Sequence, residues 1–251
     1  MKSITIGPGT YGEVYLAYLQ EAGENIVGFI DDNTNLHGKI IQGVTVLGGS
    51  DLLKTLKDTH GVSNVYCPIG NNKLRVKFLR LAQSLGYCTP NYIHPSVTIS
   101  PNVTIGKGVY ILLGTNIMPH TTIEDYTMIS MGVNIAHHTT LKEGTFLSTG
   151  CNFGASIIAE KYSYCGISST IMTGIKSLGK DCLIGAGAVV IKDVPDGAVV
   201  AGVPAKIIKY RFDKEIIEKL LKLKWWDLNE EKIKKIPYDN ILKAIDEIKE
   251  A

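Results

Sequence analysis

The sequence predicts a chain in three parts: an open, Rossmann-like α/β domain over residues 1–90, a parallel β-helix over 91–208 and an α-helical tail over 209–251. Three observations predict it. A strand–helix–strand pattern at the start carries GxGxxG in its first turn. From Ile93 as far as Val190 an apolar residue returns at every sixth position. Beyond Lys206 that beat gives way to helical spacing.

The first strand, Ile4 to Ile6, runs into Gly7-Pro8-Gly9-Thr10-Tyr11-Gly12, and Val14, Leu16, Ala17, Tyr18 and Leu19 then follow a helical pattern stopped by Gly23. A second strand, Ile26 to Ile30, ends at Asp31 and Asp32. Glycines after a first strand let backbone N–H groups approach a phosphate at a helix N-terminus, and an acidic pair after the second strand suits a ribose. GxGxxG alone often marks only a tight turn, and two aspartates alone read equally well as a solvated loop; the combination points to a nucleotide. Val44 to Leu47 reads as an edge strand, and Ser50 suits the N-cap of a helix over 51–57. A strand over 64–69 leads through Gly70-Asn71-Asn72 into a helix whose Leu74, Phe78, Leu81 and Leu85 share a face, ended by Gly86. Tyr87-Cys88-Thr89 is expected as a last strand. Residues 7–12, 31–32 and 70–72 then lie along one sheet edge, where open α/β sheets bind ligands. Lys73 and Arg75 would add solvated positive charge there.

The beat runs Ile93, Ile99, Ile105, Ile111, Ile117, Ile123, Ile129, Ile135, Leu141, Leu147, Phe153, Ala159, Cys165 and Ile171, takes one extra residue at Ser177, and resumes at Leu178, Ile184 and Val190. Four places after each beat stands a small or β-branched residue, from Val97 to Cys151. Helices repeat near 3.6 residues and ordinary strands near 2, so neither explains a period of six. A hexapeptide solenoid does: each hexad gives a short strand and a turn, three hexads close a coil, and residues three hexads apart stack. Ile99, Ile117, Ile135, Phe153 and Ile171 then form one interior column, each side chain contributing roughly 1.5–3 kcal/mol on burial.

A packed solenoid interior leaves no room for chemistry, so a site must lie outside. The polar residues out of step with the beat are His120, Asp125, Asn134, His137, His138, Glu143 and Asn152. His120 should stack under His138, Asp125 under Glu143, and Asn134 under Asn152. His137 has Pro119 below and Ala155 above, an open ledge on which an acyl-carrier arm could lie. A neutral imidazole is the natural general base near pH 7, although a lone histidine is often surface decoration. Adjacent histidines also hint at metal, but neighbours on a strand or turn point apart and no third ligand stands at fitting spacing.

A net charge of +2 gives no reason to expect nucleic acid or membrane as partner. Five cysteines without CxxC spacing, and no long apolar run, fit a soluble cytoplasmic protein. In the tail, Ile216, Ile217, Leu220 and Leu221 form one helical face and Ile241, Leu242, Ile245 and Ile248 another, with Trp225 and Trp226 expected to be buried. Ten basic and ten acidic residues balance from Arg211 onward, which favours packing over membrane binding.

The hexapeptide repeat, closing in Gly-Ala-Gly-Ala-Val-Val (185–190) and Ala-Gly-Val-Pro-Ala-Lys (201–206), resembles the left-handed β-helix acyltransferases, whose coils run against the usual crossover hand. Gly-Phe-Ile-Asp-Asp (28–32), Ile-Gly-Asn-Asn (69–72) and Ile-His-Pro-Ser-Val (93–97) are similar to the nucleotide-sugar N-acetyltransferases of the bacillosamine and perosamine type, with the sialic-acid O-acetyltransferases. The resemblance covers residues 1–208 and implies a homotrimer that binds acetyl-CoA between adjacent β-helices and needs no metal. It implies acetyl transfer to the amine of a UDP- or dTDP-linked deoxy-amino sugar; sugar O-acetylation and a non-catalytic, nucleotide-sugar-binding scaffold are the alternatives. The family pairs a histidine base with a following Asp or Glu. Here the matching residues are His137 and His138, so the base carries over and the carboxylate does not, leaving Asp125 or Glu143 to supply one. A second family histidine falls at Phe146. The implied acetyl-CoA contacts are Asn152, Gly154, Gly166, Ile167, Gly185 and Ala186. The implied nucleotide-sugar contacts are Gly7, Gly9, Thr10, Tyr11, Gly12, Asp31, Asp32, Gly70, Asn71 and Asn72. Arg211, Phe212, Leu220, Leu221 and Trp225-Trp226-Asp227 resemble the tail of the xenobiotic acetyltransferases.

Overall fold

The computed structural model describes residues 1–210 and, beyond them, residues 216, 222 and 244–246. By its contacts the chain divides into two compact units, 1–207 and 208–251. In the second, the described positions from Ile216 onward are helical, with Ala244 and Ile245 buried. A strand, Lys206–Tyr210, means that helical spacing starts later than residue 209. The expected burial of Trp225 and Trp226 lies outside the described residues.

The N-terminal sheet contains β1 (Lys2–Ile6), β2 (Asn25–Ile30), β3 (Ile40–Ile41), β4 (Val44–Gly48) and β5 (Val62–Tyr66) in the order β3-β4-β2-β1-β5, parallel except for β3 against β4. Helix α1 (Thr10–Glu21) joins β1 to β2, α2 (Leu56–His60) precedes β5, and α3 (Asn72–Ser84) follows β5 and leads toward the prism. Ser50 does not cap a helix as expected. It opens a 3₁₀ turn, Ser50–Lys54, whose N-cap is Gly49, and its N–H is accepted by the Asp32 carboxylate at 2.7 Å. The expected strand at 87–89 reduces to one bridge between Asn64 and Cys88.

From Tyr92 the chain forms two-residue strands that stack in three parallel sheets, giving a triangular prism. Outward residues of the first face include Tyr92, Tyr110, Met128, Phe146 and Tyr164; of the second, Thr98, Asn116, Asn134, Asn152 and Thr170; of the third, Thr104, Thr122, Thr140, Ile158 and Ser177. From Ile111 onward the beat residues fill the interior, with Ile111, Ile129, Leu141, Leu147 and Leu178 fully buried, whereas Ile99, expected in the interior column, lies in the first coil and is 41% exposed. The threonines four places after a beat are also buried, their hydroxyls donating to turn carbonyls, as Thr115 to Ser130 at 3.1 Å and Thr139 to Gly154 at 3.0 Å. A β-branched residue with a hydroxyl therefore suits that inner corner.

The first face is not solvated. Tyr92, Tyr110, Met128 and Phe146 share one core with β1, β2, β5 and α1. Tyr15 of α1 packs on Tyr110 at 5.3 Å, and the Tyr110 hydroxyl accepts the N–H of Cys67 at 2.8 Å. The α/β half is thus mounted on one wall of the prism.

Candidate active site

In the N-terminal sheet β1 is the switch point, with β2 on one side and β5 on the other. Chain connections diverge at such a point and leave a crevice beyond the strand ends. Helices α1 and α3 both begin there, after the N-caps Gly9 and Asn71. Gly7 adopts φ +87°, and a Cβ on Gly12 would run into the Gly7 carbonyl, so α1 starts hard against the turn. Gly9 and Thr10 are exposed beside it. Asp31 and Asp32 stand at the rim of a cleft with Ser50, over Ile6, Ile30 and Ile69 and beside Leu74 and Phe78. One oxygen of Asp31 accepts the N–H of Asn33 at 2.8 Å, which shapes that rim. Tyr11 is half-buried and meets the Phe146 ring edge-on at 5.7 Å, next to Gly70. Asn71 caps α3 by accepting from Lys73 and Leu74, each at 3.1 Å. Gly12→Val is expected to push α1 off the turn and weaken binding of the nucleotide sugar that the sequence resemblance implies by about tenfold or more, about 1.4 kcal/mol, measured by calorimetry.

Two sequence expectations change here. The Asn72 side chain is buried and committed to the prism: its Nδ2 donates to the carbonyls of Tyr162 and Ser163 at 3.1 and 3.2 Å, and its Oδ1 accepts from Arg75. It ties α3 down instead of facing a ligand. Arg75 is not surface charge but fully buried. Its guanidinium donates to the carbonyls of Tyr126, Ile69, Gly144 and Thr145 and to Asn72, and burial pulls its pKa down to about 10, so it stays charged at neutral pH. The deepest face of α3 is Arg75, Val76, Leu79 and Ala82, while Leu74 is exposed. A second stripe, Val76, Leu79 and Ala82, was the signal available in the sequence; it shows that α3 is covered on two sides.

His137 and His138 lie in the turn between the second and third faces, both exposed. Their Nδ1 atoms are 2.9 Å apart, and the His138 ring lies over His120 with centroids 4.8 Å apart. The expected His120–His138 stack is therefore present, and so is the Asn134–Asn152 pair, joined at 3.0 Å and extended to Asn116 at 3.0 Å. Asp125 and Glu143 do not supply the missing carboxylate. They occupy the turn between the third and first faces, where Asp125 accepts the N–H of Lys107 at 2.8 Å and Glu143 pairs with Arg80 at 2.7 Å. Phe146, where a second histidine falls in the family pattern, is buried between Tyr11 and Tyr164 under Arg75.

The positions implied for acetyl-CoA border the second face. Asn152 stands on it, Gly154 lies in the turn above His137, and Gly166, Ile167, Gly185 and Ala186 stack in the turns along its other edge. Exposed Met118, Met172 and Ile191 line one edge of this face and Met131 and Ile167 the other. Among the described residues no cluster of three or more His, Cys, Asp or Glu could hold a metal ion, and no helix is long and apolar enough to cross a membrane. All five cysteines are free thiols.

A hexapeptide prism bearing an exposed imidazole on one corner and a glycine-loop α/β module on the opposite wall defines an acyltransferase of the β-helix class. Residues 2–81 match the family model described as the PglD N-terminal domain. A histidine-to-alanine variant of GDP-perosamine N-acetyltransferase from Caulobacter crescentus, solved with CoA and GDP-perosamine, is 30% identical with TM-score 0.78, covering 83% of this chain and 97% of that one. The acetyltransferase domain of PglB from Neisseria gonorrhoeae is 28% identical with TM-score 0.75, over 82% and 99%. Among curated relatives, chloramphenicol acetyltransferase of Klebsiella aerogenes is 45% identical over 71 residues, 28% of this chain and 33% of that protein. The chain thus spans about a third of the length of the curated relatives it matches. It belongs to the left-handed β-helix, hexapeptide-repeat acetyltransferases that carry a PglD-type N-terminal domain.

Proposed function

We propose that the chain transfers the acetyl group of acetyl-CoA to the amino group of a nucleotide-linked deoxy-amino sugar, with His137 as general base. The observation that carries this reading is the likeness to a perosamine N-acetyltransferase through both halves of the chain, module and prism together. The nucleotide would sit with its base against Ile6, Ile30 and Ile69, its ribose near Asp31 and Asp32, and its phosphates at the N-termini of α1 and α3. The sequence resemblance favours UDP or dTDP as carrier, whereas the similar perosamine enzyme was solved with GDP-perosamine. A panel of UDP-, dTDP- and GDP-linked amino sugars with acetyl-CoA, read by thiol release, decides among them; no release from any of them sinks the proposal.

The geometry asks for more than one subunit. The module covers the first face, and His137 stands on the corner opposite that face, so a sugar held by the module is separated from its own His137 by the body of the prism. A homotrimer packed through the second faces answers this, since it covers the exposed methionines and isoleucines along their edges and brings one subunit's corner beside the next one's module. Each site then takes its nucleotide from one chain and its base from another. Light scattering should give three chain masses. Gly12→Val and His137→Ala proteins, each impaired when assayed at nucleotide-sugar concentrations below KM, should on being unfolded and refolded as a mixture regain activity that neither regains alone; no recovery in properly assembled mixed trimers places the site within a single chain.

A further inference from the structure

The His137–His138 contact extends the reading of His137 as base and rests on it. Two Nδ1 atoms 2.9 Å apart cannot both offer lone pairs or both hold protons. One ring must donate and the other accept. We propose that His138 is a positioning residue whose neutral Nδ1 accepts the Nδ1–H of His137, holding His137 in the tautomer that keeps its lone pair on Nε2. An imidazole thus takes the place of the family's orienting carboxylate.

The surroundings fix this arrangement. The His138 N–H donates to the Pro119 carbonyl at 3.2 Å, and the His137 carbonyl accepts from Ser156 at 3.0 Å, so both residues are pinned between coils. His120 supports the His138 ring from below at 4.8 Å, and the His137 ring stands perpendicular to it at 5.1 Å. His120 is the titratable group facing His138 from the coil below; the coil above offers Ala155 and Ser156. Among the described residues, the next charged side chains up this corner are Lys176 and Asp193. Among the described residues of the same chain, the His137 ring meets His138 and pairs with no carboxylate.

A consequence follows that a carboxylate would not give. A proton on His138 turns its Nδ1 into a donor, forces His137 Nδ1 to accept and moves the His137 proton to Nε2, where it blocks base catalysis. A proton on either ring therefore switches the base off.

The test uses the assembled full-length protein with His138→Asn and His138→Asp, both of which suit the left-handed backbone at this position, φ 57°. His138→Asn, whose amide can turn either its oxygen or its NH2 toward His137 and so does not fix one tautomer, should lower kcat by about tenfold or more, a part of what a general base supplies, with KM within about twofold. His138→Asp should keep kcat near wild type above neutrality and move the acid limb of kcat upward by about one pH unit, since a carboxylate favours a charged imidazole. Nitrogen NMR of histidine-labelled protein should find the His137 proton on Nδ1, and on Nε2 in His138→Ala. If the acid limb stays in place in both variants and the His137 proton lies on Nε2 in wild type, the role given to His138 is overturned while the base reading stands. Full activity of His137→Ala overturns both.

Discussion

His137→Ala is expected to turn over about 10²–10⁴-fold more slowly than wild type, because the amine then reaches the thioester carbonyl with no group positioned to take its proton. In the proposed reaction the sugar nitrogen attacks that carbonyl, His137 Nε2 takes the proton, and the tetrahedral intermediate expels the CoA thiolate. The substitution removes no group from the cleft around Asp31 and Asp32 and none from the second face. KM for both substrates should therefore stay within about threefold, the signature of an interaction made in the transition state alone. The residual rate should rise with pH, since more of the amine is then neutral and hydroxide can take the proton that attack releases. Steady-state thiol release at several pH values checks all three statements. Turnover near wild type at neutral pH would remove His137 from the mechanism and leave the prism corner without a chemical role.

Much of this was legible in the residues because the β-helix is nearly one-dimensional. Each hexad contacts its neighbours at a constant offset, so the stacking of His138 on His120 and of Asn152 on Asn134 follows from counting. The GxGxxG turn and the Asp31–Asp32 rim were legible for a similar reason, since a βαβ unit places its own strand ends. What counting could not give was how the two halves meet. Arg75, Asn72 and Phe146 are ordinary in their local patterns, and their burial depends on contacts such as Arg75 with Tyr126, Asn72 with Ser163 and Phe146 with Tyr11, far apart in the chain. Asp125 and Glu143, by contrast, were within reach of the count: they stand two hexads before and one hexad after His137, so the repeat itself puts them on a different corner of the prism.

Arg75→Met should be the most damaging substitution for stability. The guanidinium meets no carboxylate; its charge is held by five oxygens, four of them backbone carbonyls, and by the face of Phe146 at 5.8 Å. Methionine roughly fills the volume but donates nothing, so the Tyr126, Ile69 and Gly144 carbonyls and Asn72 Oδ1 lose the guanidinium as donor, while the Thr145 carbonyl keeps the N–H of Met128 at 2.9 Å. Hydrogen bonds from a charged group contribute about 1.5–3 kcal/mol each and are not additive, so a net loss of roughly 3 kcal/mol or more is expected. For a chain of this size that lowers Tm by about 6–12 °C. Arg75→Lys should recover little, because one ammonium cannot reach carbonyls spread around a planar fork. Function should follow. Through Ile69 and Asn72 the same guanidinium holds the loop carrying Gly70 and Asn71 to the prism. Loosening it should raise KM for the nucleotide sugar well before it affects acetyl-CoA, whose proposed positions lie along the second face. Calorimetric Tm and paired KM values test this; an Arg75→Met protein melting within 1 °C of wild type would mean that the buried cation is not what joins module to prism.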